Sequence, residues 1–178
     1  MFVQVFYDIP SDFQWFEFKL EFQCLTGIGR VSVDDVVKWE GSDFDQPIKI
    51  GQKGNIVKIG MKSELSYIIL VDDSPLPEFI RRHMERYATW EVKFEGLTTK
   101  VISDKKDDAQ EVVMMGRKMK EVKKGFLSGG WSLLWTYGEV NFRIEFCFKG
   151  ATWTETLFMD EVSHAPYVPR NGKSDDFS

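Results

Sequence analysis

Apolar and polar residues alternate along several short segments of the chain, which is the period of a β-strand with one buried face. In residues 16–24, Phe16, Phe18, Leu20 and Phe22 alternate with charged and amide side chains. Because successive side chains of a strand point to opposite faces, this segment predicts a strand with one dry side. Further strands are predicted at residues 2–7, 67–71, 90–95, 131–137, 140–148 and 153–158.

Two segments carry the signals of helix starts. Ser32 is followed three residues later by Asp35, a variant of the capping box that predicts a short helix ending near Trp39. Pro75, after Asp72-Asp73-Ser74, occupies the first position of a longer predicted helix. The apolar stripe of this longer helix comprises Leu76, Phe79, Ile80, His83, Met84 and Tyr87.

A third helix of about four turns is predicted before Gly125, opened by Asp107 or Asp108. Its apolar stripe is Val112, Met115, Met119 and Val122. Its C-terminal half is basic, although the whole chain has a net charge of −5. Such a patch suits either an anionic membrane surface or a nucleic-acid backbone, and it equally suits a solvated helix face that favours the helix dipole. The candidate binding residues are Arg117, Lys118, Lys120, Lys123 and Lys124.

The segments together predict an α+β fold, with a mostly antiparallel sheet of about eight short strands and about three helices packed on one side. One domain is expected over residues 1–162, followed by a flexible C-terminal tail at 163–178 that is poor in apolar residues. No apolar run approaches the ~20 residues of a membrane span, and residues 1–8 lack the basic region of a secretory signal. We therefore expect a cytoplasmic protein.

The residues that usually carry catalysis or hold metals are few and scattered. The chain has two histidines, His83 and His164, and neither has a nucleophile at a spacing that predicts a catalytic triad. Cys24 and Cys147 form no paired metal-binding motif, and reduced thiols are expected for both. The sequence therefore predicts no enzyme, no metal and no cofactor.

One acidic constellation resembles the centre of a Mg²⁺-dependent nuclease. Asp73 follows a predicted buried strand, and Glu91 and Lys93 lie on a later strand, so carboxylates and an amine are available for metal-assisted hydrolysis. The same Glu-x-Lys spacing occurs at Glu17 and Lys19, where it is simply the solvated face of a strand. The solvated-face interpretation is preferred for both pairs.

Aromatic residues are abundant, with 15 Phe, 6 Trp and 5 Tyr. Most are expected in the core, where large rings bury much area. Trp131 and Trp135 follow the glycine-rich connection at residues 128–130, and we take them as candidates for a protein interface.

The order of these elements resembles the globular matrix domain of rhabdoviruses, in particular the plant-infecting members. The resemblance rests on the amphipathic strand Phe16–Phe22, the helix start at Ser32–Val37 and the late strand Glu139–Phe146. It implies a non-enzymatic protein that self-associates and links a nucleocapsid to an anionic membrane. The basic residues 117–124 would then be the natural contact for lipid or ribonucleoprotein.

A different class of function is an immunity-type inhibitor that binds a basic protein toxin. An acidic protein of this size can steer onto a basic partner through its charge. The candidate acidic clusters are Asp34-Asp35, Asp43 with Asp45, Asp72-Asp73 and Asp107-Asp108. The nuclease is the third hypothesis.

Overall fold

The computed structural model describes residues 2–23, 26–42, 44, 46–63, 66–106 and 108–174. Within these ranges the chain forms eighteen β-strands and one α-helix. In chain order they are β1 (Phe2–Ser11), β2 (Gln14–Gln23), β3 (Ile28–Val33), β4 (Val36–Gly41), β5 (Ile48–Ile50), β6 (Asn55–Ser63), β7 (Ser66–Val71), β8 (Ser74–Pro75), α1 (Leu76–Arg86), β9 (Tyr87–Phe94), β10 (Leu97–Asp104), β11 (Val112–Met114), β12 (Arg117–Lys118), β13 (Lys123–Leu127), β14 (Gly130–Tyr137), β15 (Val140–Lys149), β16 (Thr152–Met159), β17 (Val162–His164) and β18 (Asn171–Ser174).

The strands form four sheets with antiparallel pairing, and the chain divides into two compact units. Unit 1 comprises Met1–His83 and Pro169–Ser178, and unit 2 comprises Met84–Val168. The predicted α+β fold is therefore wrong, because the described residues are mostly antiparallel β-structure with a single short helix. The prediction of one domain over 1–162 with a flexible tail stays a prediction.

Unit 1 contains a five-stranded sheet of order β18–β1–β2–β3–β4 and a four-stranded sheet of order β5–β6–β7–β8. The amphipathic segment that dominated the sequence pattern forms β2, and Phe18 and Leu20 on its apolar side are buried. Val31, Val57 and Val71 contribute to the core from β3, β6 and β7. The alternation of β2 thus predicted correctly both the strand and its dry face.

Helix α1 is the predicted helix that the structure confirms, and it begins directly after Pro75. Leu76 and Ile80 are its buried residues, and the ring of His83 packs edge-on against Trp15 at 5.4 Å between centroids. In the described part of the chain, no helix has the length and apolar character needed to cross a bilayer.

The predicted helix at residues 32–39 is instead the hairpin of β3 and β4. Asp34 and Asp35 form its turn with φ angles of 47° and 62°, in the left-handed region that aspartate tolerates better than most residues. The backbone N–H of Glu17 donates a hydrogen bond to the Asp34 carboxylate at 2.8 Å. An aspartate pair before valines was therefore a turn signal, because β-branched Val36 and Val37 favour strands.

Two further turns repeat this arrangement. At Asp72, which the sequence placed at a helix start, the carboxylate accepts from the N–H of Ile56 at 2.8 Å. At Asp160 it accepts from the N–H of Asn141 at 2.9 Å. In both cases the aspartate N–H also donates to the carbonyl of the same residue, at 2.9 Å. Each aspartate thereby joins its turn to the beginning of the neighbouring strand.

Unit 2 contains a four-stranded sheet of order β12–β11–β10–β9 and a five-stranded sheet of order β13–β14–β15–β16–β17. Both sheets contribute to one hydrophobic core. The largest fully buried side chains of this core are Trp90, Met114, Leu133, Phe142, Ile144, Phe146 and Leu157. Residues 140–148 alternate as predicted: Phe142, Ile144 and Phe146 are buried in this core, whereas Phe148 is exposed near the end of the strand.

The predicted third helix does not exist in the described residues 108–124. Its first half forms β11, and its second half forms β12 and the beginning of β13. Met115 and Gly116 make the turn between β11 and β12 with φ angles of 53° and 68°. The apolar spacing of Val112, Met115 and Met119 imitated a helix because strands of two or three residues are too short to show a period.

An ion pair between the buried Asp8 and the partly exposed Arg170 holds the last strand of unit 1. Asp8 on β1 is 2% exposed and accepts hydrogen bonds from the backbone N–H of Arg170 at 2.6 Å and from its Nη2 at 2.7 Å. Nη2 also donates to Glu17 at 2.7 Å. The hydrogen bonds to Asp8 raise the pKa of the Arg170 guanidinium above its usual value, with Glu17 adding to the effect and burial opposing it. The segment before β18 is thus tied to β1 and β2.

Candidate functional site

One end of the five-stranded sheet of unit 2 exposes several aromatic rings on the face that elsewhere forms the core. The register places Phe126 opposite Trp131 and Trp131 opposite Phe146. Phe146 is fully buried, whereas Phe126 is 87% exposed. The hydrophobic core therefore ends between β14 and the edge strand β13.

The same face is open at the far end of β15 and β16. Phe148 is 54% exposed and Trp153, its partner in the register, is 39% exposed. We call Lys124, Phe126, Trp131, Phe148 and Trp153 the aromatic surface. Each is an alternate residue of its strand on the core-facing side, so the strand pleat brings them together.

Ring contacts hold the aromatic surface in place. Trp131 stacks on Phe146 with 5.1 Å between centroids and lies 5.2 Å from Trp153, while Phe148 lies 6.2 Å from Trp153. The ammonium group of Lys124 lies 5.7 Å from the Phe126 ring and 5.6 Å from the Trp131 ring. These distances fit cation–π attraction, which keeps a positive charge on an otherwise apolar surface.

Glycines determine how the hairpin of β13 and β14 meets β15. A Cβ atom on Gly130 would lie 1.8 Å from the carbonyl oxygen of Phe146, so only glycine fits this position. The N–H of Phe148 donates to the carbonyl of Gly129 at 2.9 Å. The glycine-rich connection therefore packs closely against the strand that carries Phe146 and Phe148.

The five predicted basic residues lie on strands and loops, not on one helix face. Arg117 and Lys118 form β12, and Lys123 and Lys124 belong to β13 in the other sheet. Lys118 makes an ion pair with Glu111 at 3.1 Å. Lys120 is exposed between the two strands. Their binding role stays a prediction, but the helical arrangement on which it was based is wrong.

The two tryptophans predicted for an interface have different surroundings. Trp135 is 4% exposed and stacks on Phe142 with 5.2 Å between centroids, so it is a core residue. Trp131 is half-buried and belongs to the aromatic surface. The sequence reasoning missed Phe126, Phe148 and Trp153, although Phe148 was the last apolar position of a predicted strand.

The residues of the nuclease hypothesis are engaged separately. Asp73 pairs with Lys58 at 2.6 Å in unit 1, and Glu91 pairs with Lys100 at 3.2 Å in unit 2. Lys93 is exposed on β9. Among the residues that the structure describes, no three His, Cys, Asp or Glu side chains form a group that would hold a metal ion.

Several other candidates have a defined place. His164 lies on β17, and its Nε2 is buried without a hydrogen-bond partner in the described structure. Cys147 is a half-buried free thiol on β15. Cys24, Asp43, Asp45 and Asp107 lie outside the described residues.

A cleft of about 590 Å³ opens beside His164 in unit 2. Phe94, Val140 and Val162 provide its apolar lining, and Glu139 stands at its rim. Lys93, Glu95 and Asp160 also line the cleft, which is widely open to solvent. The aromatic surface is the stronger candidate, since exposed rings beside a cation are typical of protein-binding sites.

Comparison with known proteins identifies the family. Residues 7–165 match the family model of FAIM1, Fas apoptotic inhibitory molecule. The chain belongs to the FAIM1 family. A search of the curated proteins found no match.

Membership of the FAIM1 family overturns the functional expectations drawn from the sequence. The resemblance to a rhabdovirus matrix protein is wrong, since FAIM1 is a eukaryotic family of a different kind. The function expected from that resemblance, a link between nucleocapsid and membrane, is therefore wrong as well. The immunity-type inhibitor of a basic toxin and the nuclease are likewise not supported. The element order misled because short amphipathic strands around one helix occur in many unrelated folds.

Proposed function

We propose that this chain inhibits apoptosis triggered through Fas and does so by binding other proteins, without catalysis. The observation that carries the proposal is the FAIM1 match, which spans residues 7–165 of a chain of 178. The name of the family states the inhibition of Fas-induced apoptosis, and the match includes every residue of the aromatic surface.

The composition of the aromatic surface supports action by binding. Trp and other aromatic side chains are enriched among the residues that dominate protein interfaces, because they bury a large area with few rotatable bonds. Phe126, Phe148 and Trp153 provide exposed rings, and Trp131 contacts Trp153 and the buried Phe146. A protein partner is thus favoured over a small substrate.

A cytoplasmic site of action and a non-enzymatic mechanism are part of this proposal. The free thiol of Cys147 fits a reducing compartment. His83 packs on Trp15 in unit 1, whereas His164 lies on β17, so the two histidines belong to different units. Self-association, expected from the sequence, stays a prediction.

The proposal is tested in cells from which the endogenous gene has been deleted. Cells that express the wild-type chain are expected to show lower caspase activation after Fas ligand than cells carrying an empty vector. Staurosporine, which bypasses the receptor, serves as the comparison stimulus. Equal caspase activation with and without the chain would refute the proposed function.

A titration in cell extract separates binding from catalysis. A stoichiometric inhibitor suppresses caspase activation only when its concentration approaches that of its partner. An enzyme suppresses it at a small fraction of that concentration, and increasingly with time. Inhibition by trace amounts of protein would contradict the binding mechanism.

A further inference from the structure

Strand β13 is an edge of its sheet in the described structure. It pairs with β14 alone, in the order β13–β14–β15–β16–β17. The two-residue turn at 128–129 places Leu127 and Gly130 in a hydrogen-bonded pair, so the next pair, Phe126 with Trp131, is not hydrogen-bonded. The backbone N–H and C=O of Phe126 consequently point away from β14, towards the open edge.

The side chain of Phe126 lies at the same edge. It is 87% exposed, which is unusual for a phenylalanine in a strand. A strand added beside β13 would hydrogen-bond to the Phe126 backbone and would place an alternate side chain against its ring. One residue therefore offers both the backbone groups and the apolar contact that strand addition requires.

The charge around β13 favours an acidic occupant. Lys120 and Lys123 are exposed, and the ammonium of Lys124 lies over the Phe126 ring. Residues 119–124 contain three positive side chains and one negative, within a chain of net charge −5. This local reversal of charge would attract a segment rich in Asp and Glu.

We propose that the edge of β13 is a docking site for an extended acidic segment of a partner protein, which adds to the sheet as a sixth strand. An apolar side chain of that segment covers Phe126, and its carboxylates face Lys120 and Lys123. The inference rests on the proposed function, for which it supplies a site and a class of partner.

A second copy of this chain is a poorer occupant of the same edge. Pairing β13 with its own copy would bring the lysines at 123 and 124 of both copies onto one narrow ribbon, where like charges repel. Lysines on edge strands are a common protection against such self-pairing. An acidic partner relieves the repulsion that a second copy would create.

The purified chain is tested with a synthetic seven-residue probe that alternates Val or Ile with Asp or Glu. Binding is followed by the fluorescence of Trp131 and Trp153 and by backbone NMR shifts. The hydrogen exchange of the Phe126 amide is expected to slow on binding, because that N–H becomes a donor in the new ladder. Raising the salt concentration is expected to weaken binding through screening of the lysines.

Two modified probes separate backbone pairing from charge. A probe with alternate backbone amides N-methylated keeps every charge but cannot form the ladder, and a probe with Lys in place of the acids reverses the charge. Both are expected to bind at least about tenfold more weakly than the parent probe. Equal binding of the N-methylated probe would overturn strand addition.

Matched variants locate the site on the protein. Phe126→Pro removes the outward N–H without breaking a bond to β14 and is expected to weaken binding by about tenfold or more. Phe126→Ala keeps that N–H and removes the ring, so its loss of affinity reports the apolar contact. Leu97→Ala, at a residue 60% exposed on β10, is the control and is expected to bind normally. Unchanged binding by both Phe126 variants would overturn the proposal.

Two further measurements test whether a membrane or a second copy of the chain occupies this edge instead. The chain is incubated with phosphatidylserine vesicles, and its oligomeric state is measured by sedimentation. Vesicle binding that Phe126→Ala abolishes, with no binding of the acidic probe, would assign the edge to membranes and overturn the proposal. A dimer that Phe126→Pro dissociates would assign it to a second copy, with the same consequence.

The cell assay distinguishes this inference from the proposed function. If the wild-type chain protects cells and Phe126→Pro protects them equally, the proposed function stands and the β13 edge is not its site. If the wild-type chain binds the probe but does not protect cells, the proposed function fails while the docking edge remains.

Discussion

The pairing of Arg170 with Asp8 gives the sharpest prediction about stability. Replacing Arg170 with Met removes the guanidinium from a carboxylate whose side chain is only 3% exposed. The buried carboxylate of Asp8 would then lose the guanidinium and keep the hydrogen bond from the backbone N–H of residue 170, while the methionine retains much of the volume of the arginine stem. Breaking a buried ion pair in this way costs about 3–5 kcal/mol.

The expected magnitude is reduced by the position of the arginine. The Arg170 side chain is 37% exposed, so water can reach the space that its guanidinium leaves. We expect Arg170→Met to lower the free energy of unfolding by about 3 kcal/mol. For a chain of this size, that corresponds to a decrease in Tm of roughly 6–12 °C.

Urea unfolding and calorimetry measure this change, and the exposed pair of Arg30 with Glu40 supplies the control. Their side chains are 49% and 52% exposed, so Arg30→Met should cost less than about 1 kcal/mol. Combining Arg170→Met with Asp8→Asn should recover part of the loss, because the buried side chain at position 8 is then neutral. If Arg170→Met were no more damaging than Arg30→Met, the reasoning would be refuted.

Two further predictions concern the unit cores. Burial, with a smaller contribution from Tyr67, raises the pKa of Tyr7. The contribution of Tyr7 to stability should therefore be constant below about pH 10 and fall as the pH rises above it, because Tyr7 ionises first in the unfolded chain. Tyr7→Phe should reduce that fall in pH-dependent urea unfolding. Gly130→Ala should destabilise the chain by about 3 kcal/mol, because its Cβ would collide with the Phe146 carbonyl. Gly116 has a φ of 68° and open space around it, so Gly116→Ala should cost only about 1–2 kcal/mol. Equal decreases in Tm for Gly130→Ala and Gly116→Ala would contradict the predicted collision at Gly130.

The sequence predicted the elements in which one local signal dominates. Residues 16–23 and 140–148 alternate strictly over a long stretch, so both the strand and the buried face followed from the pleat. The pair Asp34-Asp35 was misinterpreted because aspartate serves both as a helix cap and as a turn residue. The turn is stabilised by the hydrogen bond that Glu17 donates from a different strand, and a local sequence pattern does not contain that contact.

The aromatic surface was predicted only in part for a similar reason. Trp131 and Trp135 lie four residues apart on the same face of one strand, yet one reaches the surface and the other is buried. Their difference depends on where the core ends along β14. Phe126 was missed because its exposure follows from the edge position of β13, which is a property of the whole sheet.

The pairing of β18 with β1 has a consequence for how the protein forms during translation. The hydrogen bond between Asp8 and Arg170 spans 162 residues, so unit 1 can gain its last strand only after all of unit 2 has been synthesised. Unit 2 lies entirely between these two segments and is synthesised before its neighbour can be completed. Until then β1 is an open edge of the nascent sheet of unit 1. A chaperone would be most useful at this stage of synthesis.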